Sequence, residues 1–365
     1  MEREEGGIIS YQEDISLEEA ISPNIRVHRV RAVNWWKVNV FLYLAGISPC
    51  YFINWAWSVW RKREEIFVKR GVVFAVYPVF SDLLVGYFVS RLYRMPFIID
   101  FRDDFSGVMT RGWRKVYGPF YRALERRLVR YAKEISVTTE YLKKDLVSRY
   151  GLPESKVTVV YNIVPPVEAD LDEGESVSDC LRVVYAGAMS QVQKPEILLR
   201  AHQELLALAP HWRGRVSVEF YGPESPYFKL RTKQHFGEGR IYGGFLPQVE
   251  ISRRVASADI GFFSLANATY AYATPTKLFD YIEAGIPILA SLPQGAARDI
   301  IEKYEIGLVV DVGDVKGLSG GLETLAANSS LREQFRLNTQ NAKEEVKASR
   351  QIDKWSKMIA RALQT

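Results

Sequence analysis

Two short stretches of the chain hold the residues best suited to chemistry. The first is Thr274-Pro275-Thr276-Lys277-Leu278-Phe279-Asp280-Tyr281-Ile282-Glu283-Ala284-Gly285-Ile286-Pro287. Thr274 suits an N-cap and Pro275 the first helical position, while Gly285 followed by Pro287 suits a helix end. A helix opening here presents unsatisfied N–H groups and a positive dipole end, a ready site for a phosphate. Thr276 and Asp280 are four apart and share one face. Asp280 lies more than a turn in, where a ribose hydroxyl would fall if a diphosphate occupied the helix end. Taken alone, the same signals also describe an ordinary, well-capped structural helix.

The second stretch is Val184-Tyr185-Ala186-Gly187-Ala188-Met189-Ser190-Gln191-Val192-Gln193-Lys194-Pro195. A strand ends at Gly187, where backbone can approach a ligand closely. Lys194 follows just before a helix and can set its charge on a phosphate; alone, it equally fits a solvated surface. Metal chemistry has no comparable signal. His28, His202, His211 and His235 lack metal-ligand spacing, and two cysteines, Cys50 and Cys180, are too few for a disulfide framework or a Cys-rich zinc module. Two cysteines also favour a reducing compartment. Neither a metal nor a resident cofactor is expected.

These stretches sit in a regular series of elements. Short apolar runs at 71–77, 96–101, 134–138 and 157–161 read as buried strands, with helices at 82–93, 113–133 and 140–150 between them. Alternation also predicts a strand at 24–33. Residues 165–180 are acidic, contain Pro and Ser and lack periodicity, which marks a linker. A second series follows, with strands at 181–186, 216–221, 240–243, 260–264, 287–291 and 307–310. Its helices are expected at 195–208, 226–236, 248–257, 275–284 and 296–304, with more helix to the end. Strands alternating with helices imply parallel sheets covered on both faces. The expected fold class is α/β, with two doubly wound (Rossmann-like) domains facing across a cleft. Ligands in such folds bind outside the carboxyl ends of the strands. The domains are expected at 1–165 and 181–345, joined by the linker at 166–180, with a final helix at 346–365 packing back toward the first domain.

Composition agrees: 365 residues suit two domains, and 47% hydrophobic with 25% charged residues excludes a disordered tail, a collagen-like rod or a coiled coil. The net charge of +5 conceals an asymmetry. Residues 1–165 carry 25 Lys and Arg against 18 Asp and Glu, whereas 166–365 carry 23 against 25. A basic front half implies an anionic surface there. Residues 38–60 contain no charge and are flanked by Lys37 and by Arg61, Lys62 and Arg63, with Trp35, Trp36, Trp55, Trp57 and Trp60 at the ends. The length reaches the spanning threshold of about 20 residues, but Gly46 and Pro49 break any single helix. A broken hairpin in the membrane interface, a buried helix pair and a true span are all open, and the first accords best with tryptophans beside basic residues. Further on, Trp113, Tyr117, Phe120 and Tyr121 interleave with Arg111, Arg114, Lys115, Arg122, Arg126, Arg127 and Arg130. This basic-aromatic segment suits anionic lipid at roughly 1 kcal/mol per engaged cation, and equally a solvated helix over core aromatics. Lipid rather than nucleic acid is the expected partner.

In this order and about 80 residues apart, the two stretches resemble the donor-nucleotide half of GT-B-fold glycosyltransferases of the retaining family 4 and its group-1 relatives. The Pro275–Pro287 segment matches that family's Pro-x-Lys-x-x-(Glu/Asp)-Tyr-x-x-Ala-Gly-x-Pro pattern position by position. Ile98-Ile99-Asp100-Phe101-Arg102-Asp103 looks like its strand-end Asp-Phe-Arg-Asp, and Val157-Thr158-Val159-Val160-Tyr161-Asn162 like the strand before its interdomain linker. The resemblance covers the chain from about Asn24 onward. It implies a donor site at Gly187, Lys194, Thr274, Pro275, Thr276, Lys277 and Asp280. Lys194 would bind the diphosphate and stabilise the leaving group, and Asp280 would hold the ribose. Arg102 and Asp103 would join Lys194 as catalytic residues. No metal is implied, because lysine and helix dipole do that work, and the leaving phosphate helps to take the acceptor proton.

The chain also departs from the pattern. Ala188 and Met189 stand where an arginine is usual, and Tyr272 replaces the first of two paired carboxylates, leaving Asp280. Arg102 replaces a histidine, and Ile163 rather than Gly follows Asn162. The family's opening strand and Gly-rich loop are expected to be missing, leaving the first domain incomplete at its start. The expected function is transfer of a sugar from a nucleoside diphosphate to a glycan or lipid-linked acceptor, in surface polysaccharide or glycolipid synthesis. Its expected place is the inner face of the cytoplasmic membrane, with Trp35, Trp36, Trp55, Trp57, Trp60, Arg114, Lys115, Arg126 and Arg127 toward lipid. A silent GT-B scaffold that binds nucleotide is the rival from another class. A sugar-nucleotide epimerase shares the fold, but the cleft motifs lack the acid and base groups it needs.

Overall fold

The computed structural model describes residues 21–31, 37, 40–42, 53–68, 70–109, 112–164, 180–232 and 236–364. Two parallel sheets organise them. The first has four strands in chain order: β1 (Val73–Tyr77), β2 (Phe97–Phe101), β3 (Glu134–Val137) and β4 (Val157–Val159). β2 and β3 are buried along their whole length, as parallel strands with both faces covered must be. β1 is an edge strand and alternates buried with exposed positions. Before it come α1 (Ile53–Arg61) and the short α2 (Arg63–Ile66). The crossovers of this half are α3 (Phe80–Tyr93), α4 (Phe105–Met109), α5 (Gly118–Tyr131) and α6 (Glu140–Tyr150).

The second sheet has six strands: β5 (Leu181–Ala186), β6 (Val216–Tyr221), β7 (Arg240–Gly244), β8 (Ile260–Ser264), β9 (Ile288–Ser291) and β10 (Gly307–Val310). Their spatial order is β10-β9-β8-β5-β6-β7, all parallel. The first strand in sequence therefore lies in the middle. The chain winds outward from it in one direction, then returns and winds outward in the other. The reversal opens a crevice between β5 and β8, the place where doubly wound folds bind ligands. Helices α7 (Glu196–Leu208), α8 (Pro226–Thr232), α9 (Gln248–Ala256), α10 (Thr276–Ala284), α11 (Ala296–Tyr304) and α12 (Val315–Ala327) cover the sheet. Separate apolar clusters fill its two faces, one around Phe263, Tyr281 and Ile288, the other around Phe220, Phe228 and Phe262.

After α13 (Ser329–Val346), the last helix, α14 (Ala348–Gln364), crosses to the first sheet. Met358 and Ala362 pack with Ile98 and Val160. Arg361 pairs with Glu134 at 2.7 Å, and Lys354 Nζ donates to Val159 O at 3.0 Å. Buried Gln351 accepts from Tyr161 N at 3.1 Å. Tyr161 in turn lies 5.7 Å, ring to ring, from Phe279 of α10.

Three local expectations need correction. Of the strand that alternation predicts over 24–33, residues 24–31 form no sheet pairing among the described residues and leave Ile25 and Val27 exposed, and residues 32–33 lie outside the described residues. The basic helix begins at Gly118 and not at 113; a 3₁₀ turn (Gly112–Tyr117) precedes it, and Pro119 opens the α-helix. The helix expected over 226–236 is present over Pro226–Thr232, and residues 233–235 lie outside the described residues. The helix expected at Pro275 starts one residue later, because Pro275 keeps an extended ψ of 146° and takes the cap position itself. No described helix is long and apolar enough to cross a membrane.

Candidate active site

The site is built from β5 and α10. Tyr281, on the inner face of α10, ties the two together: its hydroxyl donates to Phe262 O at 2.8 Å and receives Ala186 N at 3.3 Å. The ring fits only because position 261 is glycine; a Cβ there would sit 2.4 Å from Tyr281 Cγ. At the other end, Gly285 adopts φ 71° and closes the helix. Strand and helix thus fix where the carboxyl end of β5 and the amino end of α10 meet.

They meet closely. Gly187 follows β5 with φ +127°, and a Cβ on it would lie 2.7 Å from Lys277 Nζ. The Lys277 side chain is buried, its amine 4.9 Å from the centre of the Tyr185 ring, a stabilising cation–π arrangement. The Tyr185 hydroxyl lies 2.7 Å from Ala188 O and 2.9 Å from Gln193 Oε1, which holds the Gly187 turn in place. Around these groups is a cavity of about 340 Å³ lined by Gly187, Gln193, Gln248, Thr276, Lys277 and Asp280, among others. Its electrostatics are poised rather than neutral. Burial pulls the Lys277 amine down to about 8 against the opposing pull of Asp280, and burial pushes the Asp280 carboxyl up to about 6 against Lys277. Both groups carry charge near pH 7, and neither is well solvated. The cavity also meets the first N–H groups of α10, which a helix leaves without internal partners. An anion with hydroxyl donors behind it fits this arrangement.

Two family profiles match the chain in succession: that of Glycosyltransferase Family 4 over residues 8–168, and that of Glycosyl transferases group 1 over residues 168–342. The chain belongs to the family 4 and group 1 glycosyltransferases. A curated relative, D-inositol 3-phosphate glycosyltransferase of Nocardioides, is 25% identical over 232 residues; the match covers 58% of this chain and half of that protein's length. Among solved structures, Anabaena HepE in complex with UDP superposes with a TM-score of 0.63 at 15% identity, covering 84% of this chain and 82% of that one. An α,α-trehalose-phosphate synthase (UDP-forming) from Burkholderia vietnamiensis gives 0.65 at 14% identity, covering 90% and 80%. At these identities the likeness establishes the fold, which is GT-B.

The structure of this glycosyltransferase-family chain gathers Gly187, Thr276, Lys277 and Asp280 into one cavity. Lys194 lines a neighbouring cavity of about 190 Å³ at the carboxyl ends of β8 and β9. Gln193 borders both. Thr274 and Pro275 form the approach to α10; Thr274 O accepts from Asn162 Nδ2 at 2.9 Å, while its hydroxyl is buried with no partner among the described residues. Arg102 and Asp103 lie outside both cavities. Arg102 Nε donates to Asp100 Oδ2 at 2.5 Å, its NH1 reaches Asn162 Oδ1 at 3.2 Å, and its guanidinium stands 4.9 Å over the Trp355 ring. Asp103 accepts from the Tyr272 hydroxyl. Tyr272, standing in place of the missing carboxylate, is buried in the first domain's core cluster and thus joins the two halves.

On the basic-aromatic surface, Trp57 is exposed, whereas Trp55 and Trp60 pack on the first core. Lys115, Arg126 and Arg127 are exposed, and Arg127 also reaches the Tyr87 hydroxyl at 2.9 Å. Trp35 and Trp36 lie outside the described residues, as does the Arg114 side chain. Sequence reading overlooked Gln248 and Ser252, which line the cavity from α9. Their i, i+4 spacing was the available signal.

Proposed function

We propose that the chain takes a sugar from a nucleoside diphosphate donor and passes it, with retention, to a glycan or lipid-linked acceptor. The observation that carries this reading is the buried Lys277 amine facing the Gly187 turn in the same cavity as Asp280. A diphosphate at the start of α10 would receive the free N–H groups of Thr276 and Lys277 and the two amines, Lys277 and Lys194. Asp280 would accept from the ribose hydroxyls one turn further in. As the bond to the sugar breaks, negative charge grows on the leaving phosphate, and preorganised cations and helix N–H groups stabilise that charge without a divalent metal. The departing phosphate oxygen then takes the proton of the acceptor hydroxyl. Anabaena HepE in complex with UDP-glucose has the same fold at 15% identity, which supports a nucleotide sugar as donor.

Ligand-linked stability tests the donor half. Ligand at a hundred times its Kd adds about 2.7 kcal/mol to folding stability. One of UDP, GDP or ADP is therefore expected to raise the melting temperature by several degrees, and EDTA is expected to leave both the increase and sugar transfer unchanged. No rise with any of the three removes the donor site. Tyr272 favours a second reading, a nucleotide-binding scaffold without turnover, since a phenol tied to Asp103 stands where a carboxylate is usual. A melting-temperature rise without any transfer or hydrolysis of the sugar nucleotide would select that reading.

The same proposal places the first half against an anionic membrane. Arg122, Arg126 and Arg130 fall four apart along the exposed face of α5, with Phe120 and Val116 exposed just before them. At roughly 1 kcal/mol per cation near anionic lipid, this stripe gives reversible attachment. Binding to vesicles containing phosphatidylglycerol is expected to be lost in 0.5 M salt, roughly the regime where the Debye length falls well below 10 Å. Retention through salt and alkali would mean insertion, not adhesion.

A further inference from the structure

We propose that the cavity beyond Lys194 receives the transferred sugar, and that Glu196 determines which sugar is accepted by taking a hydrogen bond from a ring hydroxyl. The proposal rests on the donor reading above. Glu196 opens α7 and is only 6% exposed. Tyr227 OH donates to its Oε1 at 2.8 Å, but Oε2 is enclosed with no partner among the described residues. A buried carboxylate oxygen left without a donor is costly. Its retention points to a donor supplied from outside the chain.

Other walls of the cavity carry the opposite chemistry. Lys194, Arg200 and Arg231 line it together with Glu196, and Arg231 stacks over the Tyr227 ring at 4.9 Å. Lys194, Tyr227 and Arg231 also border an adjoining cavity of about 450 Å³ that reaches Asn267 and Tyr270. Lys194 holds φ 44°, an unusual left-handed conformation for a residue with a side chain, of the kind proteins keep at ligand sites. A bare anion would satisfy the cations but be repelled by Glu196. A simple cation would face the reverse problem. A sugar hydroxyl donates to one neighbour and accepts from another, so a polyhydroxylated ring suits a carboxylate facing lysine and arginine. Because Gln193 borders both this cavity and the nucleotide cavity, one ligand can lay its nucleoside in the first and its sugar in the second, its diphosphate passing Lys194.

Glu196→Gln keeps the shape and the acceptor for Tyr227 but replaces the unpartnered oxygen. The assay is calorimetric binding of the best-bound nucleoside diphosphate among UDP, GDP and ADP, and of its glucose, galactose and N-acetylglucosamine conjugates. In the variant, affinity for the conjugate that wild type prefers should fall about 10-fold or more relative to the free diphosphate, the scale of one hydrogen bond to a charged group. The free diphosphate should bind within about twofold of wild type, well under the tenfold worth of that bond. Tyr227→Phe, which loosens Glu196 without neutralising it, should shift the same ratio by less, and it serves should Glu196→Gln not fold. Equal losses for conjugate and free diphosphate, or no loss for either, would overturn the sugar pocket and leave the donor reading standing. Failure of wild type to bind any diphosphate would overturn both.

Discussion

Exchange of Lys277 for methionine is expected to weaken nucleoside diphosphate binding by at least about a hundredfold while making the ligand-free protein more stable. The two effects share one cause. The folded protein holds the Lys277 amine at about 8, against an ordinary 10.5, because burial disfavours the charged form. That deficit corresponds to roughly 3 kcal/mol at neutral pH, offset in part by whatever contact methionine fails to make. A diphosphate supplies the missing counter-charge, so the ligand recovers what the empty site forfeits. Differential scanning calorimetry should show the variant melting a few degrees above wild type without ligand, and isothermal titration should show no measurable uptake. A variant that binds normally, or melts lower, would mean that Lys277 is a packing residue.

The same pair sets the pH dependence. The folded-state value of Asp280 is raised to about 6 from 3.8, so its burial is harmless at low pH and becomes destabilising as pH climbs from about 4 through 6. Lys277 runs the other way: its burden is complete below about 8 and is relieved as pH rises toward 10.5. Between about 6 and 8 both charges are present in the empty site, which is where the ligand gains most from meeting them. Affinity for a nucleotide sugar, whose capped diphosphate does not titrate in this range, should therefore trace a bell with limbs near those values, and Asp280→Asn should erase the acidic limb.

Much of this geometry was readable from residue order. Short, mostly apolar runs such as the β2 sequence Phe-Ile-Ile-Asp-Phe, spaced between helical patterns, read as parallel strands covered on both sides, and a helix closed by Gly285 and Pro287 announces its own length. What the order of residues did not reveal was burial. Lysine is among the residues least often enclosed, and Lys277 is enclosed only because Tyr185 and Gly187, some 90 positions earlier, form the wall beside it. The cap was misplaced by one residue for a related reason. Pro275 fits the first helical turn or the extended residue before it, and the contact between Asn162 and Thr274 O accompanies the second choice. The tryptophans of α1 show the same limit: composition put three of them near lipid, but helix packing against α3 turns Trp55 and Trp60 inward and leaves Trp57 outside. The clasp between Tyr272 and Asp103 joins residues 169 apart, a pairing that no local pattern contains.

Lys194→Ala is expected to slow sugar transfer by about 10²–10³-fold, the scale for loss of one group that stabilises developing charge, while weakening binding of the intact nucleotide sugar by a smaller factor. The split follows from placement. Lys194 lies outside the cavity that holds Lys277 and Asp280 and lines the one next to it, where the bond to the sugar would break. An amine there already faces the diphosphate of the bound donor and meets further charge as the phosphate departs, so the part of its contribution that appears in the rate is the part gained in the transition state. Lys194→Arg, which keeps the charge but spreads it over a planar fork, should restore part of the rate. Transfer kinetics beside equilibrium binding distinguish the cases: an unchanged rate removes Lys194 from the mechanism, and an equal fall in affinity and rate makes it a binding group alone.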